Sequence, residues 1–389
     1  MKNLFAFALA SLGRRGAKNL FIFVIFSVMI FILASIFMIT HALKWEMDVT
    51  LSQLPEITVQ RIVAGRQSEI PVDRADRIAE IPGVSTAIPR VWGFYYFPKA
   101  GVNFSIVGIQ AFGAADRPSL QAVADRYADK LVGGDTMVVG QGVYGVMRRN
   151  YYPDYFIFVK PDGGFKKVKL AGIFKGATTL ESNDVIVMDE AVVREIFGMD
   201  ETKATDIVVR VPNPKEVRTV ARKIGELYPD TRVITNEDLK ISYQNVFDYK
   251  SGIFLALFII AVFTFFIIIY DKASGLSSEE KREIGILKAL GWKIGDIMQV
   301  KFYEAAVIAA TAYLLAVTLA VGYVFLLDAP LLKNLFMGFS VLKPPFRLPF
   351  TLDGATLALI FFVTVPVYIA ATLIPTWKAA TLEADEVIR

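Results

Sequence analysis

An α-helical membrane protein with four transmembrane helices and one large α+β extracytoplasmic domain is the fold class this sequence predicts. Three observations predict it. Apolar residues make up 54% of the 389-residue chain, above the ~45–50% of ordinary soluble domains. They concentrate in four stretches of about the 20 residues a helix needs to cross the hydrocarbon core, near Leu20–Thr40, Ile253–Tyr270, Ala305–Leu327 and Leu352–Ile374. Between the first two lies a long polar block in which apolar residues alternate.

Residues 1–18 read as a cytoplasmic N-terminal segment carrying Lys2, Arg14, Arg15 and Lys18, and residues 19–41 as the first span. That span is longer than the ~7–15 apolar residues of a signal peptide, and no small-x-small site follows in ITHALKWE, so it reads as a retained anchor. Orientation follows from Lys and Arg near the span ends. The loop 271–302 holds Lys272, Lys281, Arg282, Lys288, Lys293 and Lys301, whereas the loop 328–350 holds only Lys333, Lys343 and Arg347. Both termini and loop 271–302 are therefore expected in the cytoplasm of a multi-pass plasma (inner) membrane protein. The block 42–250 is expected outside.

Within that block ITVQRIV alternates like a strand and VDRADRIAEIPGV reads as a helix ending near Pro82-Gly83. STAIPRVWGFYYF and NFSIVGIQ read as two further strands. Later, TDIVVRV, PKEVRTVARKIGELYP and TRVITN read strand, helix, strand. Together they predict a split βαβ unit, with an insertion over about 111–203 built mostly of short strands such as YFIFVK, KKVKLAGIF and DVIVMD. In the aromatic run, Trp92, Phe94 and Tyr96 are candidate substrate contacts, or else the run fills both sheet faces. Leu43–Leu54 and Asn236–Lys250 continue from the spans without a breaker and could form a helical stalk, with Phe247 and Tyr249 as positions where a proline would interrupt it.

The second span is expected over 251–270, the third over 303–327 and the fourth over 351–374, followed by a cytoplasmic tail 375–389. The third carries small residues at Ala305, Ala309, Ala312, Ala316 and Ala320, which let helices approach closely in lipid. This predicts the buried helix of the bundle. Pro366 predicts a kink in the fourth span, and Asp353 a cap at its start. Glu304, at the inner mouth of the third span, has Lys301, Arg282 or a partner protein as candidate neighbours.

Loop 271–302 contains KREIGILKALG, Lys281–Gly291. Apolar residues at Ile284, Leu287, Leu290, Ile294 and Ile297 have helical spacing. Ser277 or Ser278 can cap the start, and Gly291 can end it in the left-handed conformation. Such a helix either lies on the headgroups or docks into a protein. The motif resembles the signature of the FtsX-like, MacB-like ABC permease family of the type VII superfamily, whose relatives include MacB, LolC and LolE. The matching residues are Arg282, Glu283, Ile284, Gly285, Ile286, Leu287, Ala289, Leu290, Gly291 and Glu304. PTWKAATLEADEVIR resembles the family's terminal pattern through Pro375, Ala379, Ala380, Leu382, Glu386 and Arg389, with Ala384 and Ile388 departing from it.

The resemblance implies a MacB-like external domain, with a porter-like unit and an inserted subdomain. It implies that Glu280–Gly291, including Lys288, is a coupling helix seated on an ABC ATPase. The implied partners are two ATPase copies, a second permease copy or paralogue, membrane lipids and an external adaptor. ATP and Mg²⁺ would belong to the ATPase. The implied function is a non-catalytic permease subunit that drives its external domain to export or extract an amphiphile such as a lipoprotein, lipid or peptide. The alternative is an FtsX-like signalling subunit that controls an external cell-wall hydrolase.

Composition narrows the remaining classes. With no cysteine the chain has no thiolate metal site, and a single histidine, His41, removes most zinc and triad chemistry. A net charge of +4 provides no field for nucleic acid. No GxxxxGK[ST] occurs, so the chain has no Walker loop. Gly140, Gly142 and Gly145 in VVGQGVYG fit GxGxxG, but the acidic residue a dinucleotide fold requires is matched only by Asp162, in a PDGG turn. A strand entering a short helix is the expected structure there.

Overall fold

The structure, a computed structural model, describes residues 2–14, 16–110, 117–247, 256, 259, 263, 267, 278–337, 344 and 347–381. The expected second span lies almost wholly outside the described residues, as do Tyr249, Leu382, Ala384, Glu386, Ile388 and Arg389. The chain divides into a helical unit (Met1–Ala42, Phe247–Met337, Phe350–Arg389) and a sheet-rich unit (Leu43–Val246, Gly338–Pro349).

The helical unit begins with α1 (Lys2–Arg14) and the start of α2 (Gly16–Ser52). At ~1.5 Å per residue, the 37 residues of α2 far exceed the ~30 Å hydrocarbon core. No Gly or Pro occurs between Ala17 and Leu54, and the helix stops just before Pro55, which disfavours helical geometry in the residue preceding it. Three helices among the described residues are long and apolar enough to cross a membrane: α2, the rod Ile294–Leu326, and a helix over Gly354–Thr381. Ala256, Ile259, Phe263 and Ile267 of the expected second span are helical and exposed.

The rod consists of an α-helix over Ile294–Val321 and a wider π-turn over Gly322–Leu326. Its alanine stripe at Ala305, Ala309, Ala312, Ala316 and Ala320 is fully or almost fully buried, and its main neighbour is the helix Gly354–Thr381. Tyr313 Oη donates to the Leu357 carbonyl at 2.9 Å. The stripe therefore works as expected, but the helix is not buried all round, because Leu314 and Leu319 on the other side are exposed. The helix 354–381 continues through both Pro366 and Pro375, and Asp353 caps its start by accepting from the Thr356 amide at 2.9 Å.

The sheet-rich unit has two main sheets. Its strands are β1 (Ile57–Val63), β2 (Arg66–Ser68), β3 (Ile70–Pro71), β4 (Thr86–Arg90), β5 (Trp92–Phe97), β6 (Val102–Ile109), β7 (Thr136–Gly140), β8 (Tyr155–Val159), β9 (Phe165–Phe174), β10 (Val185–Asp189), β11 (Lys203–Ala204), β12 (Asp206–Arg210) and β13 (Thr231–Thr235). The first sheet is antiparallel, in the order β13-β1-β12-β4 with β2 on β1. Helices Arg74–Ala79 and Val217–Leu227 cover it, burying Ile78, Val220 and Ile224 against Ile57, Val59, Ile207 and Val209. The second is mixed, in the order β5-β6-β10-β7-β9-β8, with β6–β10 and β7–β9 parallel.

The expected strand Ser85–Phe97 is in fact two. β4 pairs in the first sheet, whereas β5, with β6, belongs to the second. The chain changes sheets at Val91, which is 1% exposed. The crossing is held by polar groups: the Trp92 amide donates to Thr205 Oγ1 at 3.0 Å, and that hydroxyl donates to the Trp92 carbonyl at 2.6 Å. Beside it Asp206, fully buried, takes two hydrogen bonds from Arg90 at 2.8 and 2.7 Å. The stretch expected to be mostly strands also contains helices Pro118–Leu131, Gln141–Arg149 and Glu190–Phe197.

Two further segments belong to this unit. The C-terminal end of α2 buries Glu46, to which Thr179 Oγ1 donates at 2.6 Å, and Thr50 bonds Thr178 at 2.7 Å. From residues 338–349, the Pro344 carbonyl accepts from Asn183 Nδ2 at 3.0 Å. Helix Asn236–Phe247 completes the unit up to its boundary, so the connectors expected as a stalk are helical over Leu43–Ser52 and Asn236–Phe247.

Candidate functional site

KREIGILKALG forms the body of a helix over Ser278–Ala289. Ser277, and the side chain of Ser278, lie outside the described residues. The helix ends as its sequence requires. Gly291 has φ +87°, a conformation that side-chain-bearing residues adopt at a cost of ~1 kcal/mol or more. The Trp292 amide donates back to the Leu287 carbonyl at 3.1 Å and the Gly291 amide to the Lys288 carbonyl at 2.9 Å. These two bonds satisfy carbonyls that a helix end otherwise leaves open. The chain then turns directly into the rod starting at Ile294, where Asp296 accepts from the Lys293 amide at 3.2 Å.

Burial divides the motif into two faces. Ile284 is fully buried and Leu287 is 7% exposed, packed on Ile297, Ala379 and Ala380 with Phe7 and Trp292 at the margin. Each fully covered aliphatic side chain contributes ~1.5–3 kcal/mol. Gly285 is buried beside them. Ala379 and Ala380 come from the end of the helix 354–381, where Pro375 is also buried. Lys288 Nζ donates to the Ala380 carbonyl at 3.0 Å, placing a cation at the negative end of that helix. The internal motif and the terminal motif thus form one structure: the second is the seat of the first. The opposite face carries Lys281, Arg282, Ile286, Ala289, Leu290 and Gly291, all exposed, with Ile286 at 49% and Leu290 at 72%.

Charges bind this seat from the sides. Glu283 takes Arg14 at 3.1 Å and Lys301 at 3.5 Å, and Lys301 reaches Glu304 at 2.7 Å. Lys301 is 6% exposed, so its ammonium requires the two carboxylates that flank it. Lys18 pairs with Glu280 at 3.4 Å. Of the neighbours considered for Glu304, Lys301 is the one bonded, and Arg282 points to solvent. In the sequence, Arg14 and Lys18 stand out only as charges that orient the spans. The pairing of Arg14 and Lys18 with residues more than 260 positions away left no local signal.

The aromatic candidates separate by strand alternation. Tyr95 and Phe97 face a core with Phe104, Phe156 and Phe158. Phe94 and Tyr96, at 61% and 52% exposed, face outward. Trp92 is half-buried, and its indole Nε1 donates to Asp206 Oδ2 at 3.0 Å, so it serves the sheet crossing rather than an open surface. The strand-to-helix turn at Gly140 exists as expected, but its glycines serve packing. A Cβ on Gly140 would lie 1.7 Å from the Ser182 carbonyl oxygen and one on Gly142 2.5 Å from Asn183. The Asn183 carbonyl already accepts from the Val143 amide at 3.0 Å. Among the described residues, no three His, Asp or Glu side chains converge where a metal could bind.

Comparison with known proteins agrees with the motif. Residues 251–384 match the family model described as FtsX-like permease C-terminal. Among solved structures, the extracellular domain of the noncanonic ABC-type transporter YknZ from Gram-positive bacteria is similar at 10% identity and a TM-score of 0.29, over 46% of this chain and 99% of that one. The periplasmic region of MacB from Actinobacillus actinomycetemcomitans is similar at 11% identity and a TM-score of 0.32, over 49% of this chain and 92% of that one. No curated protein matches the sequence.

Proposed function

We propose, from the membership of residues 251–384 in the FtsX-like permease family, that this chain is the membrane subunit of an ABC transporter whose ATPase is a separate protein. The helix 278–289 is its coupling element, on the cytoplasmic side together with both termini, and the sheet-rich unit works outside the membrane. Two ATPase copies pair with two permease chains, either identical or paralogous, and hold the ATP and Mg²⁺. Closure of the ATPases pushes on the coupling helix. The push passes through the seat at Ala379 and Ala380 and the Glu283–Lys301–Glu304 pairs into the spans. External motion then exports or extracts an amphiphile such as a lipoprotein, lipid or peptide. The same motion could instead switch an external cell-wall hydrolase, and the outward Phe94 and Tyr96 are the surface either external partner would meet.

One observation carries this reading. The motif helix keeps two large apolar side chains, Ile286 and Leu290, exposed beside Lys281 and Arg282, while its inner face is fixed to the chain's own core. An exposed apolar pair on a rigid support suits a protein partner. Within Glu280–Gly291, only the outer-face residues are available to that partner. Ile284, Gly285 and Leu287 hold the helix in place. The test is copurification from native membranes in mild detergent. Ile286→Asp and Leu290→Asp should fold as wild type and lose an ABC ATPase by tenfold or more. Leu287→Asp should instead lower the yield of folded chain. Full retention of the ATPase by both outer-face variants would sink the coupling assignment. A peptidoglycan hydrolase among the captured proteins would favour switching over transport.

A further inference from the structure

Helix α1 is 13 residues long, ~20 Å, and so too short to cross a ~30 Å hydrocarbon core. Its inner side is fixed: Ala8 and Ser11 are buried at 0% and 3%, and α1 packs along the rod that starts at Ile294. Its outer side consists of Phe5, Ala6, Leu9 and Ala10, all exposed, with Phe5 at 43% and Leu9 at 45%. A helix facing water would carry charge there. The Phe5 ring meets Tyr303 edge-on at 5.6 Å, and Tyr303 meets Phe302, itself 43% exposed, at 5.9 Å. This aromatic strip stands just where the apolar run of the rod begins, at Ala305, the level at which membrane proteins place aromatic belts. The apolar surface also continues across Gly16 into α2, where Leu20 and Phe21 are 61% and 67% exposed. No acidic residue occurs before Glu46, whereas Lys2, Arg14, Arg15 and Lys18 all lie in the first 18 positions.

We propose that α1 is a docking surface for the lipid bilayer, lying in the plane of the boundary with Phe5 and Leu9 among the acyl chains and its basic flank on anionic headgroups. This rests on the reading of α2 and the rod as membrane spans. Amphipathic segments of this composition bind lipid through apolar area and anionic charge together. The side chains of Arg14 and Lys18 are 62% and 47% exposed, while their partners Glu283 and Glu280 are only 16% and 17% exposed. Each cation thus stays open to a headgroup phosphate while tied to the motif helix 278–289, so the charge of the leaflet reaches the coupling element through two ion pairs.

The chain has no cysteine, so single labels are clean. The full chain carrying an environment-sensitive fluorophore at Leu9→Cys or, separately, Ala10→Cys would be reconstituted in phosphatidylcholine vesicles with and without phosphatidylglycerol. Leu314→Cys, on the lipid-facing side of the rod, and Phe165→Cys, 74% exposed on β9, provide the references. Leu9 and Ala10 labels should be quenched by nitroxide placed near the headgroups and several-fold less by aqueous iodide than the Phe165 label. Phosphatidylglycerol should strengthen the shallow quenching. Iodide access equal to that at Phe165, shielding from both quenchers by a covering protein, or indifference to phosphatidylglycerol would each overturn the proposal. If the Leu314 label escapes deep-lipid quenching, the spanning reading itself fails. If Leu314 is quenched and Leu9 is not, only the α1 proposal fails.

Discussion

Single residues on the sheet-rich unit show how charge is spent in this chain. Asp206 is fully buried and takes a two-pronged Arg90 together with the Trp92 indole. Removing one side of such a buried pair typically costs ~3–5 kcal/mol, so it fixes the sheet crossing rather than a ligand. Asp230 is more exposed. Hydrogen bonds from Arg74 hold its carboxyl below the ordinary aspartate range, with Arg61 adding to the effect. A carboxyl lowered in the folded state stabilises above its unfolded pKa, and that contribution is lost as pH falls through the lowered folded value. Wild type should therefore lose local stability below the ordinary aspartate range, read as faster hydrogen exchange in β13 and Arg74–Ala79. Asp230→Asn should already be less stable at neutral pH and show a shallower acid response. An unchanged acid response in the variant would remove Asp230 from this account.

At the scale of elements, the turn from β7 into helix Gln141–Arg149 separates two readings of one glycine motif. Gly140 has the Ser182 carbonyl oxygen 1.7 Å from its would-be Cβ, whereas Gly145 has nothing within 4 Å. Gly140→Ala should destabilise by about 1–3 kcal/mol through forced displacement of packed backbone. Gly145→Ala should be neutral or stabilising by up to ~1 kcal/mol as a helix-interior change. Denaturant melts of the two variants would check this, and equal effects would refute the packing role. Much at this scale was legible in the sequence. The Gly291 end, the alanine stripe and the Gly140 strand-to-helix turn follow from local chemistry. The break of Ser85–Phe97 into two strands was not, because it depends on Thr205 and Asp206, more than 110 positions away. Helix Pro118–Leu131 carried its signals, Pro118 at the start and Leu120, Val123, Ala124 and Leu131 inward. They were masked by strand-forming neighbours and a polar outer face. Of the motif helix, the period was readable. Which face turned inward was not, since Ile284, Ile286, Leu287 and Leu290 are all apolar and only the seat chooses among them.

Taken as a whole, the molecule assembles its candidate site from distant parts of one chain. Lys288 and the Ala380 carbonyl it bonds are 92 positions apart, and Arg14 and Glu283 are 269 apart. The motif helix leaves the ribosome well before its floor exists. Until the last span has been made and inserted, Ile284 and Leu287 have nothing at Ala379 and Ala380 to rest against, and the helix has no fixed outer face to offer. If the helix is the proposed coupling element, a chain ended after Leu352 should fail to capture the ATPase proposed for the full chain, and equal capture by both would refute this order of events. On that proposal, partner recruitment would become a check on completed synthesis. On the proposed function, a half-made chain would stay unengaged, and no ATP would be used by a machine that lacks its last part.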